Sequence, residues 1–138
     1  MDNTEYSHVT EIAVRYRDID LMGWSHNSVF LVYVEEAKIK YFQEVLGVEV
    51  EDVDGAIVHQ EINYKKPVSY EDTVVVKQRV TKIGESSLTI QFRLETNNDL
   101  AAEGKVVHTF LDERKEPEQI PEEWADNIRK FEPALATE

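Results

Sequence analysis

Apolar and polar residues alternate along the first regular stretch of the chain, Glu11 to Arg17. There Ile12, Val14 and Tyr16 face one way and Glu11, Ala13, Arg15 and Arg17 the other. A period of two is that of a half-buried strand, so the pattern predicts a first strand here. A loop from Asp18 to Ser25 follows. Residues from about His26 to Leu46 then contain neither Gly nor Pro and are succeeded by Gly47, which predicts a long helix with a glycine stop. Phe30, Tyr33, Val34, Ala37, Tyr41 and Val45 recur at spacings of three and four. Val29, Leu31 and Val32 widen the apolar surface of the first turns, so this helix is expected to be buried on more than one side.

Beyond Gly55 the period returns to two. Ala56, Val58, Ile62 and Tyr64 share a face, with Gln60 the exception, before Pro67 breaks the run and Glu71 and Asp72 mark a turn. A long strand is predicted from Thr73 to about Ile83, ending at Gly84. The most regular alternation follows, with Leu88, Ile90, Phe92 and Leu94 opposed to Ser87, Thr89, Gln91, Arg93 and Glu95. Asn97, Asn98 and Asp99 signal a hairpin, with Leu100 to Leu111 as the returning strand. After Pro117 and Pro121, Trp124, Ile128 and Phe131 stand at helical spacing and predict a short C-terminal helix.

Strand, long helix, then four strands joined by short turns calls for an α+β fold, an antiparallel five-stranded sheet packed on one helix. A helix of about 20 residues is about 30 Å long, close to a nine-residue strand at about 3.3 Å per residue, so a curved sheet can wrap it lengthwise. That is the shape called a hotdog. One helix cannot cover both faces of such a sheet, and a homodimer or homotetramer is expected to complete the burial. The 138 residues suit a single domain spanning 1–138.

Composition narrows the setting. No apolar run approaches the roughly 20 residues of a membrane span, and the acidic, polar start of the chain is unlike a secretory signal, so a cytoplasmic protein is expected. The absence of cysteine excludes disulfides, thiolate metal sites and a cysteine nucleophile. With 28 acidic and 15 basic side chains the net charge is −13. That charge disfavours nucleic acid and anionic membrane partners. It fits either a high-salt cytoplasm or ordinary solubilising charge.

Phosphate-loop, dinucleotide-binding, nucleophile-elbow and His-Glu-x-x-His motifs are all missing. The four histidines, His8, His26, His59 and His108, lie far apart in sequence and predict no metal site; satisfied or solvent-facing rings are the expected reading. What stands out is a pair of carboxylates, Asp18 and Asp20, just ahead of the long helix. The first amides of a helix have no intrahelical partner, and such an end can hold a carboxylate or the oxyanion of an attacked carbonyl. On spacing alone, two ordinary roles compete with this one. Asp18 or Asp20 can close a turn, and Ser25 or Asn27 can cap the helix.

The order of several further pieces bears on this choice. Tyr16, Asp18, Asp20 and Gly23 are followed by His26-Asn27, Phe30 and Glu35-Glu36-Ala37; then come Glu61 to Pro67, Glu71-Asp72, Gly84 to Ser87 and Pro121-Glu122-Glu123. Together they resemble the 4-hydroxybenzoyl-CoA thioesterase-like hotdog family over most of the chain. The resemblance implies hydrolysis of an acyl-CoA thioester without a cofactor. It places the catalytic carboxylate on Asp20 and the carbonyl-polarising backbone amide near Asn27, and leaves Asp18 structural. Trp24 and Phe30 depart from the histidine or small residue and the tyrosine common in the family, which bears on the acyl group. Trp24, Tyr33 and Tyr64 are candidates for the acyl pocket. The polyanionic coenzyme points to Lys65, Lys66 and Lys82, the last near the turn carrying Ser86. Solvated lysines and core aromatics are the alternatives for these residues. A thioesterase acting on carrier-protein substrates, or an acyl-CoA-binding hotdog domain without catalysis, are the alternative functions.

Overall fold

Residues 6–136 are described in the computed structural model; residues 1–5, the acidic start, and 137 and 138 lie outside it. The strands are β1 (His8–Ala13), β2 (Gly55–Tyr64), β3 (Thr73–Ile83), β4 (Ser87–Thr96) and β5 (Asp99–Phe110). All neighbours pair antiparallel, in the order β1-β3-β4-β5-β2. The helix α1 (Asn27–Tyr41) runs on as a π-helical turn, Phe42–Leu46, and ends at Gly47. There φ is +70°, a left-handed value that glycine adopts without a Cβ clash. A short helix α2 (Glu122–Phe131) and the single turn α3 (Pro133–Ala136) follow the sheet. The β4–β5 hairpin turns on Asn97 and Asn98, both at positive φ, as a two-residue primed turn requires.

The sheet curls around α1. Phe30, Tyr33, Val34, Ala37 and Tyr41 on the helix are buried against Val74, Val76 and Val80 of β3 and Leu88, Ile90, Phe92 and Leu94 of β4. Helix α2 closes the open end with Ile128. Just after it, the buried Glu132 carboxylate accepts from the Tyr41 hydroxyl at 2.6 Å and from the Val80 amide at 2.9 Å. β1 pairs with β3 only as far as His8 opposite Gln78, so Glu132 supplies the acceptor that a longer β1 would have provided. Burial, and then the Glu132 charge, drives the Tyr41 pKa well above its usual value.

Three expectations from the pattern are corrected. The first strand lies at His8–Ala13, earlier than Glu11 to Arg17. Its ladder runs out where β3 begins, opposite Thr73, and a tight 3-10 turn, Tyr16–Asp18, replaces the last strand positions. Val14 stays buried, but Tyr16 is 82% exposed. In β2 a bulge between Ile57 and His59 switches the parity of the strand. Ile57 and Ile62 therefore pack inward, whereas Val58 is 62% exposed. Finally, the second apolar side of α1 is left uncovered within the chain, with Val32 46% exposed. Among the described residues no helix is long and apolar enough to cross a membrane.

The curl depends on how closely β5 approaches β2 at one point. A Cβ on Gly104 would lie 1.9 Å from the backbone oxygen of Glu61, an atom that cannot move aside without breaking the ladder. Gly104→Ala should therefore destabilise the fold by about 3 kcal/mol or more. Chemical denaturation tests this, and an unchanged midpoint would show that the two strands can part there freely.

Candidate active site

The loop between β1 and α1 folds back on itself as a small hairpin. Ile19 bridges Ser25, the Asp18 carbonyl accepts the His26 amide at 2.9 Å, and the Asp20 amide donates to the Trp24 carbonyl at 2.8 Å. Its anchor is Asp18. This carboxylate is buried and accepts from the Arg15 amide at 2.9 Å and the Tyr33 hydroxyl at 3.0 Å, with the Arg15 guanidinium 3.6 Å away. Tyr33 also meets the Ser25 hydroxyl at 2.9 Å. Burial pushes the Tyr33 pKa up to about 12, so its proton stays on the oxygen and serves the knot. A further bridge, Trp24 to Ser69, and the Ser25 amide on the Val68 carbonyl fasten the loop to the segment after β2.

Asp20 sits at the loop's bend. One oxygen, Oδ1, accepts the amides of Met22 at 2.8 Å and Trp24 at 3.1 Å, so Asp20 does close the turn. Its other oxygen makes no hydrogen bond among the described residues. The side chain lines an open cleft of about 390 Å³ together with Tyr16, Arg17, Ile19, Leu21 and His26.

The helix start beside it lacks a side-chain cap. His26 is the N-cap residue and its side chain makes no cap hydrogen bond, and Asn27 is the first helical residue. The Ser25 hydroxyl is committed to Tyr33, and the Asn27 side chain caps nothing. The backbone amides of Asn27 and Ser28 therefore have no acceptor among the described residues. The capping alternative for Ser25 and Asn27 is thereby removed, and the helix end keeps its donors and its positive dipole.

Tyr64 stands next to this point, with its hydroxyl on the Asn27 carbonyl at 2.9 Å and its ring edge-on to Phe30. Lys65 is exposed, and Lys66 is paired with Asp99 at 2.7 Å. The chain thus brings Asp20, Trp24, Asn27, Tyr64, Lys65 and Lys66 to one end of the molecule, with Tyr33 beneath them in the core. It does not bring Lys82 or Ser86. Lys82 is the last residue but one of the eleven-residue β3 and Ser86 lies in the turn after it, whereas the first residue of β3, Thr73, lies at the Asp20 end; the separation is about 30 Å. Arg17 and His26 share the Asp20 cleft; His26 belongs to the motif that carries the family resemblance, whereas nothing in the sequence marked Arg17 except its place beside the same loop. Among the described residues no cluster of His, Asp and Glu could hold a metal ion.

Residues 14–128 match the model of the thioesterase-like superfamily, and the chain belongs to that superfamily. By class it is a hotdog-fold thioester hydrolase. It is similar to a thioesterase from Thermus thermophilus solved with coenzyme A and zinc, at 32% identity over 94% of this chain and 96% of that one, with a TM-score of 0.86. A Pseudomonas aeruginosa protein matches at 26% identity, 94% of each chain and a TM-score of 0.84. The DHNA-CoA thioesterase of Staphylococcus aureus shares the fold, at 23% identity, 94% of this chain, 93% of that one and a TM-score of 0.83. No curated protein is a significant match.

The knot beneath the loop can be tested apart from chemistry. Tyr33→Phe leaves a buried carboxylate and a hydroxyl each short of a partner and should cost about 1–3 kcal/mol in a denaturation midpoint. The exposed Tyr16→Phe should stay within about 0.5 kcal/mol of wild type. Equal effects would deny the knot its role.

Proposed function

We propose that this chain hydrolyses acyl-CoA thioesters at the Asp20 loop, with the uncapped amide of Asn27 polarising the carbonyl. The observation that carries this reading is the pairing of a half-anchored carboxylate with a donor-rich helix end. Asp20 is fixed through Oδ1 and keeps Oδ2 unengaged, while the neighbouring helix opens with backbone N–H groups that have no acceptor. Attack of Oδ2 on the thioester carbonyl carbon forms a C–O bond, and the oxyanion receives the Asn27 amide. Collapse breaks the C–S bond and releases the thiolate, which needs no strong acid because thiols ionise near pH 8.5. Water then attacks the Asp20 carbon of the mixed anhydride, so that the bridging oxygen leaves with the acyl group as the free acid and Asp20 is restored carrying one solvent oxygen. Lys65 supplies local positive charge for the coenzyme phosphates that a chain at −13 otherwise lacks, and Lys66 joins it by exchanging Asp99 for a phosphate. Trp24 and Tyr64 flank the reacting centre.

The working unit in this reading is a homodimer. β2 is an edge strand of ten residues with its outer backbone groups unpaired, and Val58 within it and Val32 on α1 are exposed apolar side chains. An antiparallel strand edge is self-complementary under a two-fold axis, so a second copy covers both. The axis carries the other copy's β3–β4 turn toward the Asp20 end, which is where Lys82 and Ser86 would act.

Thiol release from short aliphatic, long aliphatic and aromatic acyl-CoAs tests the chemistry. Asp20→Asn should lower kcat on the best substrate by at least about 100-fold, and one turnover of wild type in ¹⁸O-water should label the Asp20 carboxylate. An undiminished rate in the mutant would sink the assignment, and an unlabelled carboxylate would overturn this route, because general-base catalysis, like opening of the anhydride at the acyl carbon, sends the solvent oxygen to the product acid alone. Light scattering should give at least twice the 16.0 kDa chain mass; a monomer would overturn the dimer.

A further inference from the structure

Lys38 and His108 meet in the interior at the end of α1 away from Asn27. Each is only 5% exposed. Lys38 Nζ stands 3.2 Å from His108 Nδ1 and 3.0 Å from Oε1 of the half-exposed Glu35. The imidazole is held edge-on between Phe42 and Phe110. Burial, and then the Lys38 charge, pulls the His108 pKa down to about 4, so the ring is neutral at pH 7. An ammonium can only donate, hence Nδ1 accepts and the ring proton sits on Nε2.

That Nε2–H has no acceptor among the described residues. It lies against Gly55, where a Cβ would come within 2.4 Å of it. Lys38, His108 and Gly55 line a cleft of about 220 Å³ whose other walls include Ile39, Phe42 and Ile57. The recess is mostly apolar and has one unmet donor in its wall, His108 Nε2–H, with Lys38 on Nδ1 fixing the tautomer that supplies it; such a donor calls for an acceptor oxygen. A buried N–H without a partner is destabilising, and such an oxygen relieves it. Glu35 already balances the Lys38 charge, so a neutral carbonyl suits the cleft better than a second carboxylate.

The cleft opens beside Gly55 and Ala56, on the unpaired edge of β2. Pairing the whole of β2 with its two-fold mate sets Gly55 of one copy opposite Tyr64 of the other, and Tyr64 is bonded to Asn27. In a dimer paired in that register, the Lys38–His108 cleft of one copy would adjoin the helix start of the other.

We propose that Lys38 and His108 form the acyl-specificity subsite for a thioester held at the other copy's Asn27, selecting acyl chains that carry a carbonyl oxygen remote from the thioester. This rests on the thioesterase reading and its dimer.

The test compares kcat/KM of the wild-type dimer for 4-oxohexanoyl- and 5-oxohexanoyl-CoA with that for hexanoyl-CoA and glutaryl-CoA. At least one oxo chain should be preferred over hexanoyl by about tenfold, with glutaryl-CoA poorer than that chain. In Lys38→Met, and in His108→Phe with a ring still between Phe42 and Phe110, the oxo-to-hexanoyl ratio should fall toward one. A ratio near one in wild type, or one unchanged in a folded variant, overturns the subsite while thioester hydrolysis stands. Should glutaryl-CoA be the best substrate, the choice of a neutral carbonyl is overturned. If no thioester is turned over, the thioesterase reading fails, and calorimetry decides the subsite. Tighter binding of an oxohexanoyl-CoA than of hexanoyl-CoA by about tenfold supports it, and equal affinities overturn it.

Discussion

The buried carboxylate of Asp18 gives the β1–α1 loop its shape. Removing a charged carboxylate from water is costly unless donors replace the lost solvent. Here the Arg15 amide, the Tyr33 hydroxyl and the Arg15 guanidinium replace it, and they come from different parts of the site. Arg15 belongs to the chain leaving β1, Tyr33 to the second turn of α1, and Ser25, bonded to Tyr33, to the far arm of the loop. Fixing Asp18 thus fixes the position of Asp20, two residues on, relative to the first amides of the helix.

That arrangement leaves donors unmet. A residue at the N-cap with a short polar side chain would stabilise α1 by about 1 kcal/mol, yet the position is held by His26, with no side-chain bond. The nearest hydroxyl, on Ser25, is turned inward to Tyr33. The opposite end of α1 shows the same economy in reverse, because His108 keeps a buried N–H without a partner beside Lys38. Unmet donors therefore lie near both ends of the central helix, the Asn27 and Ser28 amides at one and the β5 residue His108 at the other. A two-fold axis across the exposed edge of β2 would bring the two kinds of end together.

Much of this fold was legible along the chain. The period-two runs of β3 and β4, the paired asparagines of the hairpin, the helix without Gly or Pro and its stop at Gly47 report local physics, in which side-chain alternation and allowed backbone angles suffice. The same holds for the place of Asp20, whose loop is bounded by a strand and a helix start. The bulge in β2 was not legible, because one extra residue changes which face is inward and depends on the register that β5 imposes. Nor was the end of β1, which is set by where β3 begins.

The burial of His108 was half written, since it shares the parity of Val106 and Phe110 in β5. Its meeting with Lys38, 70 residues away in sequence, was not. The elements, their order, the glycine stop and the carboxylate pair ahead of the helix were all readable from the chain, because each follows from neighbours within a few residues. Folding in three dimensions was needed to make Asp18 the buried anchor and Asp20 the half-free carboxylate, to leave the helix uncapped, and to bring Lys38 to His108. Those outcomes depend on contacts between distant segments, whose free energies arise only when the sheet closes around the helix.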